Sequence, residues 1–219
     1  MNLQEYISRD KISISKLASI KQIIDLFEQV PYTHLPIVDN HKLIGTVAKE
    51  DLHNLTSPHK SLAEHGYLIE CFFSKAEDTL LELFSNFAIN NSNMMPVLDS
   101  DLNYNGYFDL NDLLDCFADT YFLHSEGSIL LLEKATSDYS MSEIVQIVET
   151  NQSEVLGCFI SYKNEEKTQV VLKTNQENIN EIIQSFRRYE YTIINDLSDD
   201  SYLESLKKRS EYFIKYLNI

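Results

Sequence analysis

The sequence predicts an α+β chain in two parts, tandem βαββα repeats followed by a βαββαβ segment. Three observations carry this. An internal repeat of about sixty residues runs through the first half. The hydrophobic pattern changes from Ser128 onward. The composition, 43% hydrophobic and 24% charged over 219 residues, is that of a folded chain long enough for one large domain or two modest ones.

The repeat is explicit. Thr33-His34-Leu35-Pro36-Ile37-Val38-Asp39 returns as Asn93-Met94-Met95-Pro96-Val97-Leu98-Asp99. Gly45 and Asp51 return at one interval as Gly106 and Asp112, while Pro36 returns one residue earlier as Pro96, so the second copy carries an extra residue in its turn. Each copy reads helix, strand, turn, strand, helix. In the first, Ile20, Ile23, Ile24, Phe27 and Val30 make a helical stripe, and Ser19 with Gln22 fits a capping box. In the second the stripe is Leu80, Leu81, Phe84, Phe87 and Ala88, with Ser74 and Glu77 or Asp78 as the cap. Short apolar strands follow, joined by polar turns, and Asp51 and Asp112 sit where a strand hands over to a helix.

The second half alternates differently. Ile129 to Leu132 reads as a strand, and Ser140-Met141-Ser142-Glu143 opens a helix. Glu154 to Tyr162 and Thr168 to Lys173 read as a hairpin. Asn178 is expected to cap a helix carrying Ile182, Ile183 and Phe186, and Tyr191 to Asn195 completes the sheet. That order implies a ferredoxin-like sandwich. A last helix is expected from Tyr202 to Ile219. The divisions predicted are residues 1–62 and 63–124 for the repeats, 125–198 for the sandwich and 199–219 for the final helix.

Charge and cysteine usage exclude several functions. Lys plus Arg number 18 against 34 Asp plus Glu, a net charge of -16, so the surface repels nucleic acid. Cys71, Cys116 and Cys158 fit no disulfide or metal spacing and read as buried free thiols. No signal pattern or membrane-length apolar run is present, and a cytoplasmic location is expected. His53, His59 and His65 fit no common zinc pattern, the glycines never cluster into a phosphate loop, and no nucleophile motif appears. No catalytic residue, metal or resident cofactor is expected, so the chain reads as a non-enzyme.

The pattern h-P-h-h-D, a polar turn and G-h-h-x-x-x-D-L, occurring twice in register, resembles the CBS (cystathionine-β-synthase-type, or Bateman) domain pair. The resemblance covers about residues 1–124. The following βαββαβ segment resembles an ACT-type domain, though the turn Lys134 to Tyr139 lacks the glycine usual in amino-acid-binding members. The resemblance implies a homodimeric regulatory or sensor protein whose clefts bind an adenosyl ligand such as AMP, ATP or S-adenosylmethionine and control conformation or a partner protein. The alternative it leaves open is a degenerate dimeric scaffold that binds nothing small.

Residue by residue, the resemblance places Asp51 and Asp112 on the ribose hydroxyls, where a carboxylate can accept two hydrogen bonds from a vicinal diol; each is otherwise a helix-end carboxylate. Thr33 and His34 fall on the phosphate side, as do Ala48 and Asp109 where the family often has Thr or Ser. Ala48 lacks that hydroxyl. Asp109 opposes a phosphate by about 4 kcal/mol at ~4 Å and an effective dielectric of ~20. Met94, the counterpart of His34, adds no charge. The second cleft is therefore expected to be empty or to favour a neutral or cationic adenosyl ligand.

Overall fold

The computed structural model describes residues 2–10, 12–52, 55 and 59–194. The chain divides into two compact units, Met1–Asp119 and Thr120–Ile219.

The first unit opens with a 3-10 turn over Leu3–Tyr6 and strand β1 (Ile7–Ser8). Helix α1 (Ile20–Phe27) follows. Ser19 accepts from the Gln22 amide and Gln22 returns a bond to the Ser19 amide, so two otherwise orphaned donors are satisfied. Ile20, Ile23 and Phe27 of the predicted stripe are buried on one face, Ile24 is half-buried, and Val30 lies beyond the helix, which ends at Phe27. Strands β2 (His34–Asp39) and β3 (Lys42–Ala48) form a hairpin, and β3 runs into the single turn α2 (Lys49–Leu52). A second 3-10 stretch, Leu62–Leu68, leads into β4 (Ile69–Glu70) and β5 (Ser74–Lys75). The second repeat then builds α3 (Leu80–Ile89), β6 (Met94–Leu98), β7 (Tyr104–Asp109) and α4 (Leu110–Ala118).

Helix α3 corrects one expectation. Its cap is Thr79, in a capping box with Glu82, rather than Ser74 with Glu77 or Asp78. Asp78 closes the preceding turn by accepting from the Lys75 amide, and buried Ser74 accepts from Asn86 Nδ2. The buried face carries Leu83 and Phe87, while Leu81 is exposed and Ala88 faces solvent. At ~100° per residue Leu80, Leu83, Phe84 and Phe87 share one face, and Leu81 and Ala88 fall at its exposed edge.

The two repeats are interleaved. Strands β2, β3 and β4 form one sheet and β5, β6, β7 and β1 the other. In the first, Ile14 bridges Ile37 in parallel, as Ser74 pairs Val97 in the second. On the far side Ile69 pairs Val47, as Ile7 pairs Phe108. The strand that precedes each repeat therefore completes the other repeat's sheet. The cores follow suit. Leu62 and Leu68 pack with Ile20, Ile23 and Phe27 of the first repeat, whereas Leu3 and Ile7 pack with Leu83, Phe87 and Phe108 of the second.

The second unit holds α5 (Tyr121–His124), β8 (Ser128–Ala135), α6 (Met141–Thr150), β9 (Val155–Lys163), β10 (Lys167–Thr174), α7 (Ile179–Arg188) and β11 (Thr192–Ile193). The sheet order is β11-β8-β10-β9 and every neighbour is antiparallel. This is the ferredoxin-like order expected of βαββαβ. Leu130, Leu132, Val170 and Leu172 of the sheet bury against Ile144, Val148, Ile182 and Phe186 of the helices. Helix α6 opens where expected, and Ser140 caps it by accepting from the Glu143 amide. Asn178 takes the cap position of α7 but makes no capping bond; its amide donates to Asn151 O instead, tying α7 to the end of α6.

The buried Lys173 ammonium donates to the carbonyls of Phe122 and Leu123 and lies over the Phe122 ring. A charge at the end of α5 satisfies carbonyls that the short helix leaves open. The thiols differ from expectation too: Cys116 is buried, but Cys71 is exposed and Cys158 half-buried. Neither Cys71 nor Cys158 stands on a fully packed face, so sequence hydrophobicity alone does not place them. The predicted helix from Tyr202 to Ile219, the end of the predicted last strand at Asn195, and His53 lie outside the described residues.

Candidate functional site

The first repeat offers a cavity of about 490 Å³ at the corner between β3 and α2. Tyr32, Thr33 and His34 line it from the start of β2, and Ala48, Lys49 and Glu50 from the corner. The Lys49 amide donates to Thr33 O at 2.8 Å, which fixes the corner against the strand. The Lys49 ammonium is committed to Phe27 O at 3.2 Å, closing the C-terminus of α1. Thr33, His34 and Ala48 thus meet at one cavity. Asp51 stands further along α2, exposed and outside the lining, but near enough for its charge to act on His34.

His34 is 6% exposed and uses both ring nitrogens. Nε2 lies 3.3 Å from Glu70 Oε2 and Nδ1 2.9 Å from Thr33 Oγ1, and the ring meets Phe72 edge-on at 5.4 Å between centroids. Burial lowers the His34 pKa from the ordinary histidine value; Glu70, Glu50 and Asp51 oppose this and are outweighed. The imidazole is therefore neutral near pH 7, with Nε2–H donating to Glu70 and Nδ1 accepting from Thr33. This makes a stability prediction. A base whose folded pKa is depressed binds fewer protons folded than unfolded, so stability rises with pH across that interval. It is fully present above the unfolded value near 6.5 and is lost on acidification toward the folded value. The slope for one proton is at most about 1.4 kcal/mol per pH unit. Urea midpoints between pH 5.5 and 7.5 should fall with acidification in the native protein and less steeply in His34→Asn; equal slopes would rule this out.

The second corner is built differently. Asp109 caps α4, accepting from the Asn111 amide at 2.7 Å, and the Leu110 amide donates to Asn93 O at 3.1 Å. The Tyr32 and Tyr107 hydroxyls lie 3.2 Å apart with their rings edge-on. Burial, and hydrogen bonding to Tyr107 and Asp109, push the Tyr32 phenol above its ordinary range. Met94 is fully buried. Asp112 is exposed in the first turn of α4, its carboxyl pushed up by partial burial and by Asp109 and Asp115. The structure thus brings Thr33, His34 and Ala48 to one cavity and leaves Asp109 at the end of β7 and Asp112 on α4.

Tyr32, Lys49, Glu50, Glu70 and Asn93 join these surroundings without having been singled out by sequence spacing. Glu70 arrives on β4, which follows the first repeat in sequence and completes its sheet in space. Asn93 was within reach of the repeat alignment, because it is the counterpart of Thr33.

In the second unit, the turn Lys134 to Tyr139 is tied to the elements around it. Thr136 Oγ1 donates to Asn164 O, and the Lys134 ammonium pairs with Glu143 at 2.9 Å and lies 4.4 Å over the Tyr191 ring. Among the described residues no cluster of three or more His, Cys, Asp or Glu side chains could hold a metal ion, and no helix is long and apolar enough to cross a membrane.

The CBS domain family model matches residues 3–56. Among solved structures the chain is similar to a CBS domain pair/ACT domain protein from Thermotoga maritima, at 20% identity and a TM-score of 0.48, covering 54% of this chain and 98% of that one. It is similar to CBSX2 in complex with AMP, at 17% identity and a TM-score of 0.46 over 53% of this chain and 95% of that one. A third is the CBS domain of a bacterial CNNM/CorC family Mg2+ transporter in complex with ATP, at 14% identity and a TM-score of 0.45 over 52% and 85%. No curated protein sequence matches the chain. The family model thus falls on the first repeat, and the helix–strand–strand–helix order of that repeat is built again in the second.

Proposed function

We propose that the protein is a non-catalytic regulatory sensor whose first cleft, at Thr33, His34, Ala48 and Asp51, takes an adenosyl ligand and biases conformation or a partner protein. The observation that carries this reading is the cavity of about 490 Å³ on the β3–α2 corner, with the Asp51 carboxylate on the same short helix. A ligand acts here only through its different affinity for two states. The surroundings favour ligands with little phosphate charge, because Ala48 offers no hydroxyl, the Lys49 ammonium is engaged and Glu50 and Glu70 add negative charge. Adenosine and S-adenosylmethionine are therefore expected to bind at least as tightly as ATP. The second unit is read as ACT-like, with a first turn that lacks the glycine of amino-acid-binding members and whose Thr136 and Lys134 are engaged with Asn164 and Glu143. A cytoplasmic homodimer is the expected setting.

The second reading is a dimeric scaffold that binds nothing small. It is favoured by the second corner, where Tyr32, Tyr107 and Asp109 satisfy one another, and by the exposed Ile129 and Phe159 on the second unit's sheet. Thermal denaturation with AMP, ADP, ATP, adenosine and S-adenosylmethionine separates the two. A ligand at 100 times its Kd should stabilise the protein by about 2.7 kcal/mol. No shift with any of the five would remove the sensor reading and leave the scaffold.

A further inference from the structure

Thr33 and Asn93 hold the same place in the two repeats, just before β2 and β6. Each uses its carbonyl to receive the amide that opens its own repeat's last helix: Lys49 N to Thr33 O, and Leu110 N to Asn93 O. Those amides directly follow Ala48 and Asp109, and their helices carry Asp51 and Asp112. The two residues are also bonded to each other. The Thr33 amide donates to Asn93 Oδ1 at 2.8 Å, Thr33 Oγ1 lies 3.1 Å from the same oxygen, and the Asn93 amide donates to Thr33 Oγ1 at 3.2 Å. Asn93 Nδ2 donates to Pro31 O at 2.9 Å. A continuous run of hydrogen bonds therefore leads from one corner to the other across the boundary between repeats.

We infer that this Thr33–Asn93 clasp couples the two clefts, so that a ligand seated at the Ala48–Asp51 corner also orders the Asp109–Asp112 corner. Asn93 is a positioning residue in this device. Its carboxamide accepts from Thr33 with Oδ1 and donates to Pro31 with Nδ2; aspartate keeps the acceptor and loses the donor, and alanine loses both. Thr33 is equally specific, because its hydroxyl serves the clasp and the His34 ring together. The Tyr32–Tyr107 contact runs alongside as a second link from the cavity wall to the second repeat. Coupling needs an element that both sites bias, and the shared clasp supplies one. The ligand half of this inference rests on the proposed function; the clasp itself does not.

Amide hydrogen exchange tests both parts. With adenosine, AMP and S-adenosylmethionine as probes, the bound protein should show about 10-fold slower exchange at residues 110–113 as well as at 49–52. In Asn93→Ala the remote protection should vanish while that at 49–52 stays, and Thr33→Ser, which keeps the hydroxyl, should retain both. Remote protection that survives Asn93→Ala, or never appears beside local protection, overturns the coupling. If no probe protects residues 49–52, the cleft reading fails and the clasp is judged on the ligand-free protein. There, Thr33→Val and Asn93→Ala should each speed exchange of the Leu110 amide by about 5-fold, and the double variant no further. Additive effects in that cycle would overturn the inference.

Discussion

Replacing Gly106 with alanine is expected to destabilise the first unit by about 3 kcal/mol and to loosen the strand that the N-terminus contributes to the second repeat. Gly106 has φ +132°, in the region that favours glycine, and a Cβ there would run into the carbonyl oxygen of Ser8 and against Ile7 Cγ2. The obstacle is backbone, so no side-chain rotation relieves it. Either the strand moves off, exposing Leu3 and Ile7, or β7 bends away from β6. Gly45→Ala should act in the same way on β4, since its Cβ would meet the Glu70 carbonyl. Gly66→Ala is the control: nothing lies within 4 Å of its Cβ, and a change within about 0.5 kcal/mol is expected. Urea midpoints with limited proteolysis of the first ten residues give the answer. A Gly106→Ala protein as stable as the control would mean that the interleaved strand contributes little.

These glycines also show how much of the molecule the sequence discloses. Their equal spacing from Asp51 and Asp112 is visible by eye and places both hairpins. What requires glycine is a strand from the other repeat, and a pattern read one repeat at a time has no term for it. The ferredoxin-like order of the second unit is legible because hydrophobic period and element order both act locally, and strand order follows from them. The cap of α3 is not, because Ser74, Asp78 and Thr79 are all chemically able to cap, and only the packing of Leu83 and Phe87 decides among them. At the site, Thr33, His34 and Ala48 converge as neighbours on one hairpin would. Glu70 and Asn93 come to them from elsewhere in the chain, one across the sheet and one across the repeat boundary. Residues joined by long-range pairing leave no spacing to read, except where a repeat supplies the partner's counterpart.

Asp51→Ala is expected to weaken the adenosyl ligand of the first cleft by about 100-fold. A carboxylate that accepts two hydrogen bonds from a ribose diol gains about 1.5–3 kcal/mol from each, and solvent exposure of Asp51 argues for the lower end, about 3 kcal/mol in total. Its alternative role is an acidic residue in the first turn of α2, where interaction with the helix dipole is worth about 0.3–1 kcal/mol of stability and nothing in ligand affinity. Calorimetric titration with adenosine and 2′-deoxyadenosine distinguishes the two. If Asp51 holds the diol, the native protein should bind the deoxy ligand about ten times more weakly, while Asp51→Ala should bind both equally. Asp112→Ala should leave this titration unchanged, because Asp112 stands on α4 beside Asp109 and Asp115, not on α2 with the cavity-lining Lys49 and Glu50. An unaltered adenosine affinity in Asp51→Ala, with unfolding shifted by less than about 1 kcal/mol, would assign the carboxylate to the helix alone.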